Sequence, residues 1–127
     1  MDLDIIVGFM HRSHWAQNRP RSTIEKSIQN SLCFGAFEDD KQIGFARIVT
    51  DYCTFAYLCD VFVDERFRGR GVSKKMMDAI MAHPELQNLR RFVLATKDAH
   101  SLYERYGFLP LSDEEKRRYM AIFHSNI

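Results

Sequence analysis

Between Phe55 and Val63 the chain passes through nine residues of which only Asp60 is polar. A continuous apolar run of that length belongs to a central strand covered on both faces, so a sheet must run through the middle of the molecule. Past Asp64-Glu65 the run feeds Arg66-Phe67-Arg68-Gly69-Arg70-Gly71, then a helical stripe carrying Val72, Met76, Ala79 and Ile80 to about Ala82. Pro84 would stop that helix. A buried strand, a basic glycine loop and a helix in immediate succession imply an α/β fold.

The flanking segments fill in the order. From Asp2 to about Arg12, Leu3, Ile6 and Met10 share one helical face. Ser22-Thr23-Ile24-Glu25 reads as a capping box opening a second helix to about Asn30. Leu32–Phe37 and Ile43–Val49, split by Glu38-Asp39-Asp40-Lys41, form an antiparallel hairpin, and Asp51-Tyr52 turns into the central strand. Phe92–Ala95 is a further buried strand. Asp98 caps a helix with Ala99, Leu102, Tyr103 and Tyr106 on one face, ended by Gly107. Phe108-Leu109-Pro110 leads into a short strand, Asp113–Arg118 is a solvated charge run, and Tyr119–Phe123 is a last strand. The result is a mixed sheet with helices packed on it.

At 127 residues the chain is expected to form a single domain over 1–127. With 46% apolar and 28% charged residues it can bury a core, which excludes a disordered tail, a coiled coil and a collagen-like repeat. Eighteen basic against seventeen acidic residues leave a net charge of +1, so no bulk attraction to nucleic acid or anionic lipid is expected. No apolar run approaches the ~20 residues of a membrane span, and Met-Asp-Leu-Asp lacks the basic start of a signal peptide. Cys33, Cys53 and Cys59 show no CxxC spacing, and His11 and His14 lack a third ligand, so neither disulfides nor a metal site is expected. A reduced, cytoplasmic protein is the expectation.

The loop before the helix has the sharpest chemistry. A helix start leaves N–H groups unpaired and carries a partial positive charge, which suits a phosphate. Gly69 and Gly71 let that backbone approach an anion, and Arg68 and Arg70 add charge. From the glycines alone, a basic surface turn serving only backbone geometry is an equal reading.

Two motifs carry a resemblance. Arg68-Gly69-Arg70-Gly71-Val72-Ser73 is similar to the [Q/R]-x-x-G-x-[G/A] motif of the GNAT superfamily of acyl-CoA-dependent N-acetyltransferases, with Ser73 where Gly or Ala is usual. Asp98 to Phe108 resembles that superfamily's A-x-x-L-Y-x-x-x-G-F ending. The resemblance implies a GNAT-like mixed, mainly antiparallel sheet flanked by helices, here lacking the usual first strand. A homodimer is compatible with the edge this leaves. It implies that the pantetheine arm of acetyl-CoA adds to the backbone of Val61, Phe62 and Val63. The diphosphate would then rest on N–H groups from Gly69 through Val72 to Ser73, with Lys74 next. Thr96 takes a position where the family often has Asn.

The same resemblance implies transfer of the acetyl group from acetyl-CoA, as co-substrate, to a primary amine by direct attack. Tyr103, matching the family's tyrosine, would protonate the departing sulfur; the alternative is an aromatic packed on the core face of its helix. Asp60 is a charge inside an apolar strand, where an unpaired carboxylate is expensive. It would hold a substrate ammonium or relay its proton; the alternative is a carboxylate paired with backbone or arginine. Together with Asp51, it leans toward a cationic small molecule or a peptide amine as acceptor, though Asp51 is better read as a turn former. Cys59 reads as a small hydrophobe. A non-catalytic module that binds or senses acyl-CoA, and an interaction domain built on the arginine loop, are the competing functions.

Overall fold

The computed structural model describes residues 1–124. Helices α1 (Leu3–Arg12) and α2 (Arg21–Gln29) precede strands β1 (Leu32–Glu38), β2 (Lys41–Thr50) and β3 (Phe55–Val63). Helix α3 (Val72–Ala82), β4 (Arg91–Leu94), α4 (His100–Glu104) and α5 (Asp113–Arg118) follow. The four strands lie in the order β1-β2-β3-β4. The first three are antiparallel, and β4 joins β3 in parallel. Among the described residues no strand precedes α1, and no helix is long and apolar enough to cross a membrane.

Each face of the sheet has its own helical layer. Ala46, Ile48, Ala56, Leu58 and Val63 pack against Met76, Met77 and Ile80 of α3 and Tyr103 of α4. On the other face Phe45 and Phe62 meet Ile6, Phe9 and Met10 of α1 and Ile24 of α2. Phe9 stacks on Phe62 with ring centroids 5.1 Å apart. Each such ring contributes roughly 1.5–3 kcal/mol by burial.

Two irregularities of β3 position the site. Phe45 pairs with Phe62 but Arg47 pairs with Cys59, so Asp60 and Val61 together oppose Ala46 alone. This is a β-bulge, which re-aims the residue it displaces, and Asp60 adopts a φ of 52° there. Pairing with β4 covers only Phe55 to Leu58, so β3 runs on alone past Leu94 and the two strands part.

Several expectations need correction. The apolar run is central, but its first half is not covered on both faces: Phe55 and Tyr57 are 38% and 37% exposed, because the α1–α2 layer reaches Phe62 and not them. Helix α2 starts a residue ahead of the proposed capping box, behind Pro20, with no side-chain cap bond. Proline at the N-cap sets the entry by its fixed φ. Ala99, not Asp98, precedes α4, and Thr96 Oγ1 accepts its N–H. Among the described residues no strand forms after Pro110, Tyr119–Phe123 included. The charge run is instead α5, opened by a capping box between Ser112 and Glu115.

Candidate active site

Where β3 leaves β4 behind, Val63, Phe67, Arg68, Gly69, Gly71, Val72, Ser73, Lys74 and Leu102 enclose a space of about 220 Å³. That is smaller than the ~300–1,000 Å³ of a site enclosing a whole drug-sized ligand, and suits one part of a longer molecule. Gly69 and Gly71 hold φ values of 78° and 77°, left-handed backbone that strains other residues. A Cβ on either would meet nothing within 4 Å, so the loop presents bare backbone to open space. Gly71 is the N-cap of α3, offers no capping side chain, and is followed by a first turn free of acids. The first-turn N–H groups therefore lack intrahelical partners and carry the positive end of the dipole. The donor set fits a diphosphate.

The sequence-predicted residues divide by position. Val63, Arg68, Gly69, Gly71, Val72, Ser73 and Lys74 line the space; Val61, Phe62 and Arg70 do not. Arg68 Nε donates to the Val63 carbonyl at 3.0 Å and its guanidinium lies 5.0 Å from the Phe62 ring centre. It braces the loop as much as it adds charge. Arg70 turns onto Phe67, 5.2 Å from the ring centre. Val61 packs toward α3 and Phe62 toward α1, so both offer the space only backbone.

Tyr103 follows the lining residue Leu102 on α4 and is 8% exposed. Burial holds its hydroxyl above the ordinary tyrosine range. No hydrogen bond to that hydroxyl occurs among the described residues, and no buried side-chain oxygen there lacks a partner. The hydroxyl therefore keeps some exposure, and Tyr103 is not itself among the residues lining the space. Tyr106, by contrast, donates to the Asp78 carboxylate at 2.7 Å, tying the end of α4 to α3.

Asp60 is fully engaged. Its carboxylate accepts from Arg47 Nε at 2.9 Å, Arg19 Nη1 at 3.0 Å and Trp15 Nε1 at 2.9 Å. The paired reading of this aspartate is the one the geometry matches, and none of the three donors entered the sequence argument. A signal existed for Arg47, a charge as isolated within β2 as Asp60 is within β3. Trp15 and Arg19 sit on the α1–α2 connection and gave none. The Thr54 hydroxyl and the N–H groups of Thr54, Cys53 and Phe55 donate to Asp51 and hold its carboxyl far below the usual range. It is a turn former. Burial pushes the Cys59 thiol up to about 11, so it carries no thiolate at neutral pH. His11 Nε2 donates to the Arg19 carbonyl, and no group of His, Cys, Asp or Glu among the described residues could hold a metal.

Comparison with known proteins adds to this geometry. A crystal structure of a Xanthomonas campestris pv. campestris protein belonging to the GNAT family is 48% identical, with a TM-score of 0.94 over 100% of this chain and 89% of that one. A Clostridium acetobutylicum chain solved with acetyl-CoA shares the fold at 15% identity, with a TM-score of 0.66 over 97% of this chain and 92% of that one. A Gibberella zeae protein bearing an acetyltransferase name is 28% identical over 111 residues, 70% of this chain. The match spans only 61% of that relative's length. The acetyltransferase (GNAT) family matches residues 5–108, from within α1 to the Phe108 that follows Gly107, and the chain belongs to that family.

Proposed function

We propose that the protein transfers the acetyl group of acetyl-CoA to a primary amine. The observation that carries this reading is the bare glycine backbone at the start of α3, set where β3 runs on without β4. Acetyl-CoA supplies an acetyl thioester open to attack by a neutral amine. The N–H groups from Gly69 to Ser73 hold the diphosphate, with Lys74 adding charge. The backbone of Val61 to Val63, past the last β4 pair, offers strand-like hydrogen bonds to the amide arm. A β3 N–H donates to the developing oxyanion. Tyr103 keeps its proton at neutral pH, the form a general acid needs, and delivers it from its hydroxyl to the departing sulfur. Asp60 serves as a positioning residue that fastens the α1–α2 connection to the sheet through Trp15 and Arg19.

Calorimetry with acetyl-CoA, followed by thiol release across an amine panel, tests the reading. Saturable binding and amine-dependent release of CoA are the expected results; no binding overturns it. The pairing of Asp60 with two arginines favours one second reading, a non-catalytic acyl-CoA-binding module, because it removes the obvious base. An amine of reference pKa ~10.4 is neutral only about once in a few thousand molecules at pH 7. Binding without release of CoA would select that second reading.

A further inference from the structure

We infer that the acceptor presents its amine on an apolar body with no second charge, and that this body lies on Val49, Phe55, Tyr57 and Val93 of the sheet face opposite α3. The inference rests on the acetyl-transfer reading above and names the class of its second substrate. It starts from the pleat. Ile48 of β2, Ala56 and Leu58 of β3, and Phe92 and Leu94 of β4 pack toward α3. Side chains alternate along a strand, so Val49, Phe55, Tyr57 and Val93 point to the other side. Val49 pairs with Tyr57 and Tyr57 with Val93, which makes one apolar row across three strands. Helices α1 and α2 pack farther along, on Phe45 and Phe62, and leave the row open. Val49 is 40%, Phe55 38% and Tyr57 37% exposed.

Two observations assign this face to the acceptor rather than to a protein partner. The first is size. Aromatic side chains bury about 150–250 Å² each, so the exposed parts of Val49, Phe55, Tyr57 and the neighbouring Trp15 amount to roughly 200–350 Å². A stable protein interface takes about 800 Å² from each partner. The second is continuity with the coenzyme site. Trp15 stands at the bulge, its indole N–H fixed on Asp60 at 2.9 Å. Burial, then Cys59 and Asp60, hold the Tyr57 hydroxyl above the ordinary range, which sets that ring beside the bulge too. Just past the bulge, Val61 begins the backbone offered to the amide arm. A body lying on the row thus extends its amine toward that backbone.

The carboxylates beside the row are engaged elsewhere. Asp60 is 5% exposed and accepts from Arg47, Arg19 and Trp15. Asp51 spends both oxygens on its own turn. At the Phe55 end, Glu115 is paired with Arg91 at 3.7 Å and accepts from Ser112. A polyamine would lay its second ammonium on apolar surface with no carboxylate to meet it, which costs desolvation and gains no pair. An apolar body gains from the surface it removes from water. In the transfer the amine nitrogen bonds to the acetyl carbonyl carbon as the C–S bond breaks. The sulfur takes the Tyr103 proton, and the surplus proton of the amine leaves to water, which restores Tyr103.

The test uses three primary amines with acetyl-CoA and the native protein: phenethylamine, with a ring; putrescine, with a second ammonium; and ethanolamine, with a short polar body. Phenethylamine should be favoured in kcat/KM over both by about tenfold or more, the scale expected when roughly 60 Å² of apolar surface leaves water. In Tyr57→Ala that preference should fall toward one while acetyl-CoA affinity, read by calorimetry, stays unchanged; Tyr57→Phe should keep it. Val49→Asp, at an exposed position, should cut it likewise and raise putrescine relative to the other two. A native preference under about threefold over either amine overturns the inference, whether or not the variants fold. So does an undiminished preference in a Tyr57→Ala or Val49→Asp protein still binding acetyl-CoA. A native dimer that Val49→Asp dissociates gives the face to a second copy and also overturns it. Binding of acetyl-CoA with no transfer to any of the three overturns it too, leaving the coenzyme site standing. Failure of the native protein to bind acetyl-CoA at all would bring down the underlying reading as well.

Discussion

Replacing Gly71 separates backbone strain from ligand space. At a φ of 77°, with nothing within 4 Å of a new Cβ, a substitution costs conformational energy and no packing clash. For Gly71→Val that energy is about 1–2 kcal/mol of left-handed strain, offset by roughly 0.4–1 kcal/mol of lost unfolded-chain freedom. A net loss of about 1 kcal/mol lowers Tm by roughly 3–5 °C in a chain of this size. Gly71→Asp behaves differently. Aspartate tolerates left-handed backbone, and its charge beside the α3 N-terminus contributes about 0.3–1 kcal/mol, so Tm should hold or rise. Both variants place atoms where the diphosphate would rest, and Asp adds repulsion. Acetyl-CoA affinity by calorimetry should therefore fall at least about tenfold in each, and further in Asp. An Asp variant as stable as the native protein that binds acetyl-CoA equally well would refute the placement of the ligand on this backbone.

Three other outcomes follow from the geometry. Tyr103→Phe should lower turnover about 100-fold or more, the usual share of a general acid, with acetyl-CoA affinity unchanged; equal turnover across a pH series would remove Tyr103 from the mechanism. Asp60→Asn keeps the side chain's shape and tolerates positive φ, yet strips the charge from a carboxylate only 5% exposed between two arginines. Breaking buried pairs costs about 3–5 kcal/mol, discounted here to roughly 2–3 because the amide keeps part of the bonding; a urea midpoint shift worth under about 0.5 kcal/mol would contradict the pairing. The Arg66 guanidinium and N–H hold Asp64 down to about 2. Its stabilising contribution is thus complete above the ordinary aspartate value near 3.9 and is lost as pH falls toward 2. Asp64→Asn should flatten that part of the Tm–pH curve, and an unchanged slope would count against the ion pair.

What could be read from the sequence was local. The Phe55–Val63 run followed by Arg68–Ser73 places strand, loop and helix start within twenty residues, so the glycine corner was visible before any coordinates. The partners of Asp60 were not, because Trp15 and Arg19 reach it from 45 and 41 residues away through a bulge that no periodicity announces. The Ser-x-x-Glu spacing at Ser22–Glu25 and the same spacing at Ser112–Glu115 look alike, and only the latter is a capping box. Pro20 settles the first by starting the helix early, and the second lay unread inside a charge run. Tyr119–Phe123 looks β-prone in isolation, but a short apolar segment becomes a strand only beside a partner edge, which is a tertiary fact.

The extra residue at Asp60 has a consequence for the whole second half of β3. A strand alternates its side chains, so an unbulged strand of this same sequence would carry every residue beyond Asp60 on the opposite side. Because of the bulge, the ring of Phe62 is handed to α1 while Val63 goes to α3. Straightening the bulge with every residue kept would swap that assignment, pressing a bulky ring onto Met76 and a small valine onto Phe9, whereas deleting the extra residue would leave Phe62 opposite Phe45 and both helical layers intact.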